Sequence, residues 1–308
     1  MNAQGPDLPT TIPAYLAQLR RALEGADPAM IQDALYDAEE YLRSEMAANP
    51  GRSEAQVIAD VAGSYGAPEE VADIYRDTEV RVETALRPPR PSVSAGERAP
   101  SPWQRIFGVF VDPRTYGALF YMLLSLATGV FYFTWTTVGF SLSLGLAVLI
   151  IGVPFVVLFV GASRVLALVE GRIVEVMLGE RMPRRPLYTD RAQPLLQRIG
   201  AMFTDGRTWS TFVYFLLMLP LGITYFTLAV TGIAATAGII LGPVARLLGH
   251  DGWRVSIIGI DYLYSIGAWW TWPLLAAIGG LLLLATLHVA RLVGRFHALI
   301  AKRLLVAA

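Results

Sequence analysis

The chain has 308 residues, 54% of them hydrophobic and only 16% charged, with 25 acidic residues balanced by 25 basic ones. A soluble globular chain carries about 25% charged residues, so this composition excludes a wholly water-exposed protein and places much of the chain in lipid. The absence of cysteine excludes disulfides, thiolate metal sites and a thiol nucleophile. The zero net charge hides a division: Asp and Glu crowd the segment from Glu24 to Glu83, whereas Arg dominates from Arg105 to Arg303 and Lys302 is the only lysine.

Met1 to Thr11 has no basic stretch ahead of an apolar core, so no cleavable signal peptide is expected. Ile12, Tyr15, Leu16, Leu19 and Leu23 then recur at helical spacing up to the break Gly25-Ala26-Asp27-Pro28. Asp27 is placed to cap a second helix with Ile31, Leu35, Ala38, Leu42 and Met46 on one stripe and acidic residues mostly elsewhere. Ser53-Glu54-Ala55-Gln56 reads as a capping box opening a third helix that carries Val57, Ile58 and Val61. Pro68, Glu69 and Glu70 open a fourth, with Val71, Ile74, Tyr75 and Val82 as its apolar stripe. Four short helices can bury one small core, which predicts an acidic helical domain over residues 1–86.

Residues 87–102 contain five prolines among Ser, Gly and charged residues, the composition of a semi-extended linker. From Trp103 the chain turns aromatic and apolar, and Trp103, Ile106, Phe107, Val109 and Phe110 suit a helix lying in the membrane interface ahead of Asp112-Pro113. Four apolar stretches follow, at about 116–138, 142–163, 209–231 and 269–290. Each meets the roughly 20 residues needed to cross a bilayer. The first two form a hairpin with a tight turn at Thr136 to Ser141. The segment 232–268 stays open between an extracellular extension, a re-entrant piece and extra spans. Four spans put Arg164, Arg172, Arg181, Arg184, Arg185, Arg191, Arg198 and Arg207 on the same side as Arg291, Arg295, Lys302 and Arg303, and that side is expected to be cytoplasmic.

An internal repeat is the most informative pattern. Arg105-Ile106, Asp112, Arg114-Thr115-Tyr116, Tyr121, Leu123-Leu124, Gly129 and Tyr132-Phe133-Thr134 recur without gaps as Arg198-Ile199, Asp205, Arg207-Thr208-Trp209, Tyr214, Leu216-Leu217, Gly222 and Tyr225-Phe226-Thr227. Each copy is one interfacial helix plus one hairpin, entering from the same side, so the copies are parallel repeats over 103–197 and 198–308. The predicted fold class is all-α: a small N-terminal helical bundle followed by a polytopic membrane domain, 103–308, of two tandem hairpins.

The doubled Asp-Pro/Gly-Arg-Thr-Tyr/Trp entry, the Gly-x-x-Tyr-Phe turn and the following Gly-Val-Pro hairpin resemble the putative-sensor membrane domain common in actinobacteria, over roughly residues 103–290. Asp37-Ala38-Glu39-Glu40-Tyr41, Ser53 to Asp60 and Gly66-Ala67-Pro68-Glu69-Glu70-Val71-Ala72 resemble the HAAS-type helical signalling domain, over roughly residues 10–80. The membrane module is found in its family ahead of histidine-kinase domains or alone. HAAS domains precede membrane segments and associate with PadR-like repressors. The two resemblances imply a multi-pass protein of the bacterial inner membrane in transcription-linked signalling, with a PadR-like repressor as its cytoplasmic partner.

The candidate chemistry is sparse. His250, His288 and His297 have no metal-ligand spacing, and no phosphate-binding loop or nucleophile–base pair is present, so neither an enzyme nor a cofactor or metal is expected. Asp112 and Asp205 are placed to cap membrane helices while Arg114 and Arg207 snorkel to headgroups, or the four act as an interface switch. Tyr132, Trp135, Tyr225, Trp253, Asp261, Tyr262, Trp269 and Trp270 either line an aromatic ligand cleft or form an aromatic belt at the interface. The acidic head would repel nucleic acid and suits a protein partner. The basic 181–191 loop would contact anionic lipid or dock the head in an autoinhibited state. A non-enzymatic sensor, with self-association left open, is the reading these residues favour. An accessory or permease-like transport subunit is the alternative.

Overall fold

A computed structural model describes residues 9–86, 102–146, 149, 152–184, 200, 203–247, 255–257, 260–262 and 271–306. Helices α1 (Ile12–Ala22), α2 (Pro28–Ala48), α3 (Glu54–Ser64) and α4 (Pro68–Leu86) form the head. A short α5 (Pro102–Phe107) and a 3-10 turn lead into α6 (Pro113–Leu146), α7 (Gly152–Leu178), α8 (Gly206–Leu247) and α9 (Thr271–Leu305). Among the described residues the fold is all-α but for one antiparallel ladder between β1 (Val255–Ile257) and β2 (Ile260–Tyr262), in which Val255 is in register with Tyr262 and Ser256 with Asp261.

Among the described residues four helices are long and apolar enough to cross a membrane, over Pro113–Leu146, Gly152–Leu178, Gly206–Leu241 and Pro273–Leu305. Their bounds correct the expected spans. The turn assigned to Thr136 to Ser141 is helical, because a lone Gly139 costs a helix only about 1 kcal/mol and does not end it. The second membrane helix instead opens at Gly152-Val153-Pro154, with proline in the first turn, where its missing N–H costs nothing. It runs to Leu178, well beyond the expected end at residue 163. α8 continues through Gly232 to Leu247, and α9 carries Arg291, Arg295 and Lys302 on to Leu305. Charge limited the apolar runs but did not stop the helices.

The residues gather into two compact units, one of Met1–Arg87, Ser141–Tyr214 and Ile300–Ala308, the other of Pro88–Phe140 and Phe215–Leu299. In the first, Tyr15, Leu19, Leu23, Met30, Leu42, Val57, Ile58 and Val71 close the core of the head. Thr11 and Asp27 cap α1 and α2, and Ser53 and Gln56 complete the capping box of α3. Tyr15 donates to the Gly66 carbonyl at 2.8 Å and Tyr75 to Asp37 at 2.8 Å, which fixes α4 against α1 and α2. Ile74, expected on the buried stripe of α4, is exposed. In the same unit Phe159 of α7 stacks on Phe212 of α8 at 5.3 Å, and Ser210 donates to the Leu304 carbonyl at 2.7 Å.

In the second unit α6 and α8 cross at two glycines. A Cβ on Gly129 would lie 2.4 Å from the Met218 carbonyl oxygen, and one on Gly222 would lie 2.2 Å from that of Ser125. With no hydrophobic drive between helices in lipid, close backbone approach at small residues supplies the packing. The contact is reciprocal: one sequence offset relates Gly129 to Gly222 and Ser125 to Met218. Around the crossing Tyr132 stacks flat on Phe215 at 4.5 Å, and Tyr225 packs with Met122, Ala229 and Ala290. Gly129→Ala and Gly222→Ala are each expected to destabilise the membrane helices by about 1–3 kcal/mol, whereas Gly145→Ala, where an added Cβ meets open space, is expected to be neutral. Thermal unfolding in detergent checks the contrast.

Candidate functional site

α2 buries two residues that its apolar stripe of Ile31, Leu35, Ala38, Leu42 and Met46 does not include. Gln32 and Asp33 are 7% and 5% exposed, although they lie on the helix that gives the head its acidic face. Both are buried because basic chain covers them within the first unit. α7 ends at Leu178, Gly179 takes a left-handed φ of 71°, and the following extended chain carries Arg181 to Arg184 across α2. Asp33 accepts from the Arg184 backbone N–H at 2.7 Å, and its other oxygen lies 3.8 Å from Arg181 Nη2. Arg181 also pairs with Glu79 of α4. Lys302, near the end of α9, bridges Asp27 of the head at 2.6 Å and Glu180 at 2.5 Å. Arg207 Nη2 donates to Gln32 Oε1 at 2.5 Å.

The extended chain is itself anchored. Met182 is fully buried, and Gly171 leaves room for it, since an added Cβ there would stand 3.3 Å from the Met182 Cβ. Glu175, 4% exposed, pairs with Arg172 and with Arg184, the latter at 3.3 Å. The Arg181 side chain is 11% exposed and that of Asp33 7%, so this pair is largely removed from water. Burial pulls the Arg181 guanidinium below its ordinary pKa, with Asp33 acting against the shift. A buried charge is held only while its partner stays in place, and removing one partner costs about 3–5 kcal/mol.

The helix entries follow one plan. Asp112 and Asp205 accept from the backbone N–H groups of Arg114 and Arg207, each at 3.1 Å. Their second oxygens take guanidinium groups: Asp205 pairs with Arg164 at 2.9 Å in the first unit, and Asp112 with Arg291 at 2.6 Å in the second. Arg164 also donates to Thr208 Oγ1 at 2.9 Å. Tyr214 donates to Glu170 at 2.9 Å, and the equivalent Tyr121 stands 2.5 Å from His297 Nε2. Glu170 and His297 are fully buried, so the helices contain buried titratable groups beyond the expected span ends at residues 163 and 290.

Other predicted site residues are placed differently. Arg114 is exposed, as a snorkelling side chain requires, whereas Arg207 turns to the head. Tyr132 and Tyr225 are 3% and 4% exposed and packed between helices rather than along an open cleft. Tyr225 meets the His297 ring edge-on at 5.7 Å, and Trp135 stacks near Phe131 at 6.4 Å. Asp261 and Tyr262 lie on β2, and Trp253, Trp269 and Trp270 lie outside the described residues. Among the described residues no group of His, Cys, Asp or Glu could hold a metal. Asp27 was expected only as a helix cap and Lys302 only as the single lysine, and Asp33, Glu79 and Glu180 carry no local signal that marks them as partners of a basic chain.

Beside this seat lies a partly open cavity of about 50 Å³, bounded by Gln32, Arg164, Met182, Asp205, Arg207 and Leu305. It brings α2 of the head together with α7, the first turns of α8 and the end of α9.

Comparison with protein families finds that the family model described as Putative sensor matches residues 121–305, and that described as HAAS matches residues 14–74. No curated protein and no solved structure matches the chain.

Arg181→Met, which strips the cation from Asp33 and Glu79, is expected to lower the opening free energy of α2 by about 3 kcal/mol, as read by amide hydrogen exchange. Arg43→Met, which breaks the more exposed pair with Glu39, is expected to cost about 0.5 kcal/mol or less.

Proposed function

Because the chain belongs to the putative-sensor family and carries a HAAS domain ahead of four membrane-length helices, we propose that it is a non-enzymatic signalling protein whose head is stored on a basic seat and released to a cytoplasmic regulator. The observation that carries this reading is the buried cluster of Asp33, Arg181 and Glu79, reinforced by Asp27, Lys302 and Glu180. It supports docking of the head on the basic 181–191 loop in an autoinhibited state. The acidic face that would meet a basic partner is the face occupied by the chain's own arginines.

Membrane helices can act on such a seat directly. The seat consists of the end of α7, the first turns of α8 and the end of α9, so a shift of these helices moves Arg181, Arg207 and Lys302 against the head. A cue in the lipid phase or outside the membrane needs only to favour one helix arrangement over another by a few kcal/mol to change the fraction of released heads. The basic excess around residues 164–207 and 291–303 supports a cytoplasmic location for the seat and both termini. A PadR-like repressor is the partner class that the HAAS resemblance suggests.

Capture from native membranes tests the proposal. Arg181→Glu, which repels Asp33 and Glu79, is expected to recover more of a transcriptional repressor than wild type does, and a head-deleted chain none. Equal recovery by wild type and Arg181→Glu would contradict storage of the head.

A further inference from the structure

The cavity beside the seat holds more positive charge than its walls answer. Two guanidinium groups, Arg164 and Arg207, face one carboxylate, Asp205. Both oxygens of Asp205 are engaged, one by Arg164 and the other by the Arg207 backbone N–H. The Arg207 guanidinium is therefore left with a neutral acceptor, Gln32 Oε1 at 2.5 Å. Its Nε is shielded from solvent and has no hydrogen-bond partner among the described residues. A guanidinium hydrogen-bonded only to an amide, with the charge of Asp205 already shared with Arg164, is costly to desolvate, and arginine's planar fork of donors matches a phosphate or carboxylate. The remaining walls, including Leu168, Met182 and Leu305, are apolar, and the cavity has room for one small anionic group in place of a few waters.

We infer that this cavity is a binding site for a phosphate-type anion, held by Arg207 with help from Arg164. The inference rests on the storage of the head just proposed and gives it a chemical trigger. Gln32 belongs to the head, so an anion that takes the Arg207 guanidinium displaces the contact between α2 and α8. Binding of the anion and seating of Gln32 compete for the same donors. The anion loosens the head without touching Asp33 or Arg181.

The same chemistry comes from a soluble phosphate ester or from a phospholipid headgroup, and the test separates them. The full chain is placed in maltoside detergent micelles, which carry no phosphate, and titrated with inorganic phosphate. In a second arm, phosphatidylglycerol is added to the micelles without inorganic phosphate. Thermal midpoint reports binding, and hydrogen exchange of α2 reports seating of the head. A rise in midpoint with faster α2 exchange in either arm is expected and identifies the source. Arg207→Gln is expected to raise the apparent dissociation constant about tenfold or more, as fits loss of a charged hydrogen-bond donor. Arg295→Gln, which removes an exposed charge elsewhere on α9, is expected to leave the response intact. If Arg207→Gln does not fold, Arg207→Lys, which keeps the charge and loses the fork, is expected to respond more weakly than wild type. No response in either arm, or an equal response in the Arg207 variant, would overturn the anion site. Protection of α2 before any anion is added tests the stored head separately, so a protected but unresponsive α2 would overturn the anion site alone.

Discussion

A carboxylate and a guanidinium taken out of water together form the constraint on which the first unit depends. Asp33 and Arg181 cannot be separated without exposing each to solvent or leaving each buried alone, and the second outcome is the expensive one. In the proposed storage of the head this pair serves as a latch with two acceptable states, closed or fully open. Its closed state is shaped by ordinary backbone chemistry, since Gly179 turns the chain out of α7 and the buried Met182 pins it against Gly171. The latch exists because α7 continues past the apolar run to Leu178 and brings Glu175 and the extended chain to the head.

The membrane part is organised by equivalences. Gly129 meets the backbone at Met218 as Gly222 meets it at Ser125, and Tyr121 and Tyr214 each donate to or contact one buried titratable group, His297 and Glu170. The capping aspartates each add a guanidinium from another helix, Arg291 for Asp112 and Arg164 for Asp205. The equivalence breaks at the arginines that follow: Arg114 is exposed, whereas Arg207 is turned to Gln32. Arg207 thereby joins the first turn of α8 to the head.

Much of this was legible in the chain. Helical periodicity, the capping residues Asp27 and Ser53 and the apolar runs determine the head helices and the four membrane helices, because these are local effects of side-chain spacing and backbone hydrogen bonding. Helix ends were less legible, since hydropathy reports where charge begins and the helices run on through Glu170 and Arg291. The seat was legible only as a tendency of a basic loop to meet an acidic domain. Which arginine meets which acid depends on Asp33 and Arg181 being far apart in sequence, and no local pattern encodes that pairing. Gln32 and Asp33 lie off the apolar stripe of α2, so nothing local marks them as buried, and the fold alone supplies the partners that a buried polar pair demands.

Lys302 offers the most direct test of the stored head, because it is the only lysine and its ammonium is held between Asp27 and Glu180. Its acylation rate by an amine-reactive ester, read by mass spectrometry on the full chain in nanodiscs, reports whether the head covers the seat. Slow acylation is expected in wild type and a marked acceleration in Arg181→Glu. Acylation of wild-type Lys302 at the rate of a free lysine, or the same rate in both proteins, would contradict storage of the head.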